Sequence, residues 1–169
     1  RELLNECSFI FRPKINSVHK SKDGTIKWLL EMDDKSLIET VFIPQGKRGT
    51  ICISSQVGCT LSCTFCNTGT QKLVRNLSTY EILGQIFIVI DHLNDWPMGK
   101  TNRKVTNLVM MGMGEPLLNY ENVKKALKIV MSSNGLCISK RRITMSTSGI
   151  VPMIEQCGKD LDVNLAISL

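Results

Sequence analysis

The sequence predicts an α/β fold: a parallel sheet of about four strand–helix units, preceded by a β hairpin. Three observations predict it. From Thr50 onward, short apolar strands alternate with helical stretches. Ser78-Thr79-Tyr80-Glu81 reads as a capping box, in which the serine bonds the third helical amide and the glutamate reaches back. Two β-branched runs, Thr25–Met32 and Ser36–Pro44, flank the turn-forming Asp33-Asp34-Lys35.

The elements follow in order. Asp23-Gly24 marks the turn before the hairpin, and Pro44-Gln45-Gly46-Lys47 the break after it. Thr50–Ser54 is a short strand that runs into a cysteine-rich loop. The helix opened by Ser78 extends to about His92. Thr106–Met111 is a strand ending in Gly112-Met113-Gly114-Glu115-Pro116. Tyr120–Ser132 is an amphipathic helix with Val123, Leu127, Val130 and Met131 on one face, closed by Asn134-Gly135. Arg142–Thr147 is a third strand, Ile150–Gln156 a short helix and Val163–Leu169 a fourth strand. Alternation of this kind places the helices outside the sheet. Four units alone fit both an open sheet and a cut barrel.

Composition narrows the class. The 169 residues are 43% apolar and the mean hydropathy is near zero, which suits a soluble globular chain. The longest apolar run, Ile82–Ile90, is interrupted by Gly84 and Gln85 and is too short to span a bilayer. Arg1 is followed by acidic and polar residues with no apolar signal segment, so the expected compartment is the cytoplasm. The start at Arg and the stop within a strand-like run read as a piece of a longer protein. Net charge is +6, carried by Lys20 and Lys22, Lys47 and Arg48, Lys72 and Arg75, Lys100 to Lys104, and Lys140-Arg141-Arg142. That spread suits a polyanionic partner as well as it suits a plain basic surface. Aromatics at 5% provide no evident stacking platform for single-stranded RNA.

Seven cysteines in such a chain argue against a disulfide framework, and four of them fall within residues 52–66. Cys59, Cys63 and Cys66 have the spacing Cys-x3-Cys-x2-Cys. Three thiolates on one short loop can each hold one iron of a cubane and leave the fourth iron open to a ligand such as S-adenosylmethionine. The loop follows the first strand of the alternating run, at the carboxyl end of the sheet, where sites in such folds assemble. The rival is structural zinc with Cys52 as fourth thiolate. Cys7, Cys137 and Cys157 read as inert buried thiols. His19 and His92 read as surface or helix-end residues, and Phe65 as packing within the loop.

Beyond the cysteines, the chain resembles the radical-SAM RNA methyltransferases that methylate C2 of adenosine in 23S rRNA and tRNA. The resemblance rests on Glu39-Thr40-Val41-Phe42-Ile43-Pro44, on the run from Arg48 to Cys59, and on Val109 through Asn119. Ser139 through Gly149 and Leu165-Ala166-Ile167-Ser168-Leu169 complete it. These blocks follow the family's order across most of residues 36–169, whereas residues 1–35 carry little. The resemblance implies a partial (βα) barrel of the radical-SAM type, cut after about four of six units. Residues 1–47 would be the end of an N-terminal accessory region, and 48–169 the first two-thirds of the barrel.

It also implies roles. Cys59, Cys63 and Cys66 would bind a [4Fe-4S] cluster. Gly114 and Glu115 would hold the amino end of S-adenosylmethionine, with Ser146 and Ser168 binding the same cofactor. Glu39 would remove the C2 proton of adenine. Cys52 would be the thiol that resolves a methylene-bridged cysteine–RNA adduct through a transient disulfide. Partners would be 23S rRNA, tRNA and an electron donor such as flavodoxin or ferredoxin, with a monomer as the whole protein. Read from the residues alone, each position has a plainer account. Glu39 can be a solvated carboxylate, Cys52 a small buried hydrophobe, Glu115 an exposed loop acid, and both serines backbone satisfiers. The family's methyl-carrying cysteine lies in a segment beyond Leu169, and no cysteine here matches it. Two other readings stay open: the sister activity at adenine C8, which confers ribosomal antibiotic resistance, and a zinc-bound RNA-binding module without catalysis.

Overall fold

The computed structural model describes residues 9–59, 72–96 and 102–168. The predicted hairpin is present as β2 (Ile26–Glu31) and β3 (Leu37–Gln45), antiparallel, with Leu30 opposite Ile38. Its turn carries Lys35 at φ 70°, the left-handed position of a three-residue hairpin loop. A strand not foreseen, β1 (Lys14–Lys20), pairs with β2, and β4 (Arg48–Cys52) pairs with β3. Sequence reasoning passed over β1 because it has no apolar face: six of its seven residues are exposed and it sits at the sheet edge, which its lysines keep from pairing with other chains.

Beyond β4 the sheet turns parallel through β7 (Asn107–Met110), β8 (Ile143–Thr147) and β9 (Asn164–Ile167). Seven strands therefore form one sheet in the order β1-β2-β3-β4-β7-β8-β9. The sheet is mixed rather than wholly parallel, because the hairpin strands continue it instead of standing apart. A separate two-stranded ladder joins β5 (Gln56–Val57) to β6 (Arg75–Asn76).

Three helices cover one face of the large sheet. The capping box opens α1 (Thr79–His92) as expected, with the Ser78 and Glu81 side chains each bonding the other's backbone amide. Buried Gln85 of α1 reaches Thr40 of β3 at 2.9 Å. From α3 (Val151–Leu161), the Cys157 thiol meets the Met145 sulfur of β8 at 3.8 Å. Between them, α2 (Tyr120–Met131) buries Val123, Ala126, Leu127 and Val130. Helix α3 runs five residues past the expected Gln156. Asp162 ends it in the left-handed conformation, donating its amide to the Gly158 carbonyl. No helix among the described residues is long and apolar enough to cross a membrane.

Strands β2, β3, β4, β7 and β8 alternate. Trp28, Leu30, Ile38, Ile51, Leu108, Ile143 and Met145 point to the helices and are fully buried. The intervening residues point to the other face, which no described helix covers.

Candidate active site

Both faces and both ends of the sheet have distinct characters, and the predicted site residues gather on one face at one end. Register places Val41, Cys52, Val109 and Thr144 side by side across four adjacent strands, on the face away from the helices. Glu39 lies two residues from Val41 and Ser146 two residues beyond Thr144, so both share that face. Glu39, Cys52 and Ser146 all lie toward the end of the sheet where the parallel strands finish. Just past β9, Ser168 donates its amide to the Thr147 carbonyl at 2.9 Å, and its hydroxyl lies 3.4 Å from that of Ser146.

Glu39 is half-exposed and pairs with Lys27 of β2 at 2.8 Å. Its backbone carbonyl accepts the Ser54 hydroxyl at 2.7 Å. Cys52 is a free, partly buried thiol. Burial pushes its pKa up, and a backbone hydrogen bond from Met111 offsets part of that rise. Cys157 is buried, as expected. Cys137 is a correction: it is exposed, at φ 53°, with its thiol donating to the Ser133 carbonyl at 3.2 Å in the turn after α2. Cys7, Cys63, Cys66 and Phe65 lie outside the described residues.

The chain leaves β4 and enters a closed stem. Gln56 faces Asn76 and Val57 faces Arg75 across β5–β6. Val74 donates to the Val57 carbonyl, and Cys59 bridges to Lys72. Gly58 is required here: φ is +74°, and a Cβ would stand 2.1 Å from the Lys72 carbonyl oxygen. Cys59 therefore sits where the stem opens into the loop that carries the other two thiols.

Arg75 ties this stem to the scaffold. Its Nε bonds Asp34 of the hairpin turn at 2.6 Å, and its two terminal nitrogens form a fork with Glu81 at 2.8 and 2.9 Å. Burial pushes the Glu81 carboxyl up, but Arg75 and the Ser78 amide outweigh it and hold the pKa below the usual value. Arg75 also holds Asp34 well below the ordinary carboxylate range.

The turn after β7 locks onto the same stem. Ser55 and Gln56 donate their amides to the Met113 carbonyl, and the Gln56 side-chain oxygen accepts the Glu115 amide at 2.9 Å. Gly114 has φ +94°, and a Cβ there would lie 2.4 Å from Cβ of Gln56. Glu115 is buried, unlike the exposed acid that a bare glycine–proline loop suggests. One of its carboxylate oxygens accepts from the Leu117 amide at 3.1 Å. The other accepts the Ser148 amide and hydroxyl at 3.0 and 3.1 Å, which links the turns after β7 and β8. Asn119 adds two donations, to the Ser55 and Leu77 carbonyls, each at 2.7 Å.

Gln56, Arg75, Asn119 and Ser148 thus hold the site together, and the sequence reading gave none of them a role. Each is polar and close to a chemical motif. That was the available signal, but only the fold shows what they touch.

This constellation defines the class. Residues 53–165 match the family model described as Radical SAM superfamily, and the chain belongs to that superfamily. Over its whole length it is similar to proteins named dual-specificity RNA methyltransferase RlmN. It is 56% identical to the one from Zymomonas mobilis subsp. mobilis, over 169 residues that cover 43% of that protein. It is 57% identical to the one from Parvibaculum lavamentivorans, covering 45% of it. Among solved structures, the crystal structure of a radical SAM methyltransferase from Sphaerobacter thermophilus superposes with a TM-score of 0.89 at 37% identity, over 99% of this chain and 48% of that one. The motif resemblance and the α/β radical-SAM fold class are therefore borne out. The chain spans less than half the length of these relatives.

Proposed function

We propose that the protein containing this chain is a radical-SAM methyltransferase acting on C2 of an adenosine in 23S rRNA and in tRNA. The observation that carries this reading is the similarity of the whole of this chain to part of the dual-specificity RNA methyltransferases. A geometric one supports it: Glu39, Cys52, Ser146 and Ser168 share the uncovered face at the end of the sheet where the cysteine loop departs.

The residues present fit the implied cofactors. Three thiols within eight residues are the donor set of a site-open [4Fe-4S] cluster formed by Cys59, Cys63 and Cys66. The backbone around Gly114, with Glu115, Ser146 and Ser168, offers donors and acceptors for the amino-acid and ribosyl parts of S-adenosylmethionine. A bound cluster and cofactor supply one-electron cleavage to a carbon-centred radical.

The remaining tasks fall to this chain's own side chains. Glu39 takes a proton, and Lys27, 2.8 Å away on β2, holds its carboxylate in place on that face. Burial holds Cys52 as the thiol, and a resolving attack by its thiolate requires that proton to be removed first. Water is kept from the buried side of the sheet by α1 to α3. The compartment is proposed as the cytoplasm, the electron donor as a flavodoxin- or ferredoxin-type protein, and the whole protein as a monomer.

The test is in vitro methylation by the full-length protein of 23S rRNA and tRNA transcripts, anaerobically, with reconstituted cluster and a reductant. Digestion to nucleosides and mass spectrometry should give 2-methyladenosine. Product at C8 would support the sister activity, and colourless protein with zinc and no sulfide would support the RNA-binding module.

A further inference from the structure

The positive charge that looks scattered along the sequence is gathered by the fold at the end of the sheet opposite the reaction site. Lys47 and Arg48 stand in the β3–β4 turn, Arg103 and Lys104 just before β7, and Arg141 and Arg142 just before β8. These three segments start three neighbouring parallel strands, so they line one rim. Phe42 and Pro44 form the apolar floor of a cleft of about 560 Å³, and the first four of those cations line it.

Two details mark the rim as built for an anion. Among the described residues Lys47, Arg48 and Arg142 make no salt bridge; of the acids near them, Asp95 bonds the Lys104 and Val105 amides and Asp162 pairs with Lys140. Arg103 keeps its Nε and one terminal nitrogen buried without a hydrogen-bond partner, and its other terminal nitrogen reaches only the Cys137 carbonyl at 3.4 Å. Arg103 is partly buried, and Asp95 offsets its charge from within the chain while neighbouring Arg142 opposes it.

We infer that this basic rim binds the phosphodiester backbone of the RNA substrate, away from the reacting base. The inference rests on the RNA methyltransferase reading. Adjacent strands are spaced ~4.8 Å apart, so a rim across three or four strands extends about 10–14 Å, which suits a run of phosphates better than a single one. The strands between the two ends are only about 16 Å long, and a folded RNA is large enough to engage both. An acidic electron-donor protein is the competing occupant. It is disfavoured by position, because a donor must approach the cysteine loop, which leaves from the other end.

The experiment uses the full-length protein with a reconstituted cluster and a fluorescently labelled RNA stem-loop transcript. Affinity is followed from about 0.05 to 0.2 M salt, where phosphate contacts dominate the slope. The Arg48→Glu/Arg142→Glu double variant should bind RNA at least about tenfold more weakly, and its log–log salt slope should fall by about 1–2. Arg103→Gln should weaken binding with a smaller slope change. Iron and sulfide content and S-adenosylmethionine binding should stay at wild-type values in both variants. Lys125→Glu/Lys128→Glu, on the exposed side of α2, should leave affinity and slope unchanged.

Unchanged RNA affinity in the double variant would overturn the inference, as would an equal loss from the α2 pair. Slower cluster reduction by flavodoxin with RNA binding intact would assign the rim to an acidic protein instead. Normal salt-dependent RNA binding with no 2-methyladenosine formed would sink only the functional reading and leave the rim standing.

Discussion

The side chain of Gln56, buried in the stem beneath the cysteine loop, accepts the backbone amide of Glu115 at 2.9 Å while its own amide donates to Asn76 at 2.7 Å. One residue thereby fixes the distance between the segment that carries Cys59 and the turn that carries Glu115. Gln56→Met keeps the volume but leaves the Glu115 amide and the Asn76 oxygen without partners. It should cost about 2–3 kcal/mol in chemical denaturation. It should also weaken S-adenosylmethionine binding in the reconstituted protein, and a variant with unchanged affinity would show that the turn is placed by other contacts.

Arg75 makes the stem pH-sensitive in a stated direction. Glu81 and Asp34 both have carboxyl groups held below their ordinary values in the folded state. Their contribution is therefore fully present above the unfolded carboxylate range and disappears as pH falls through the lower folded values. Arg75→Gln leaves the buried Glu81 without its cation, and should cost about 2–4 kcal/mol near neutral pH. The gap between wild type and variant should narrow below about pH 4. Thermal melts at a series of pH values would read this, and a constant gap would remove the linkage argument.

The cysteines separate into two sets by metal content. Cys59→Ala, Cys63→Ala and Cys66→Ala should each abolish [4Fe-4S] loading on anaerobic reconstitution, followed by the visible absorbance and by iron and sulfide analysis. Cys52→Ala should load normally, since Cys52 lies within β4, before the stem that carries the loop. If Cys52→Ala loses metal as fully as the others, a four-thiolate centre replaces the assignment and the resolving role goes with it.

The Cys52 thiol should also be slow to react. Burial raises its pKa, so the thiolate is scarce at neutral pH and grows in only above the range of a free cysteine. Alkylation of Cys52 by iodoacetamide, quantified by peptide mass spectrometry, should lag behind exposed Cys137 at pH 7. The ratio should shrink as pH is raised. Equal rates at pH 7 would mean that the site is open and the thiol unperturbed.

Much of this architecture was legible in the sequence, and the exceptions have physical reasons. The capping box at Ser78 and Glu81, the hairpin around Asp33-Asp34-Lys35 and the apolar strands β4, β7 and β8 are local signals, and each folds where its pattern predicts. Strand β1 has no such pattern, because an edge strand with both faces wet needs none. The α3 boundary was missed because Asp162 supplies a left-handed cap without glycine. Glu39, Cys52 and Ser146 could be named from the motif blocks, but their common face follows only from register. For Glu115, assigned to the cofactor by resemblance, the plainer account as an exposed loop acid fails. Its burial depends on Ser148, thirty-three residues away, and no local pattern reports such a partner. Likewise, the charge clusters were visible one by one, but their meeting at one rim is a property of the parallel crossovers.

Strand β4 divides the sheet into halves with different folding problems. The strands from β1 to β4 are consecutive and joined by short turns, so their pairings close small loops and have low contact order. The pairing of β4 with β7 must close a loop of more than fifty residues that contains the cysteine segment and α1, and loop closure of that size slows folding. During synthesis from the amino terminus, the meander can therefore form while β4 still waits for its parallel neighbour. In that interval Cys52 and the stem below Cys59 would face solvent and cellular oxidants. Pulsed hydrogen exchange during refolding should show amides of β2 and β3 protected before those of β7 and β8.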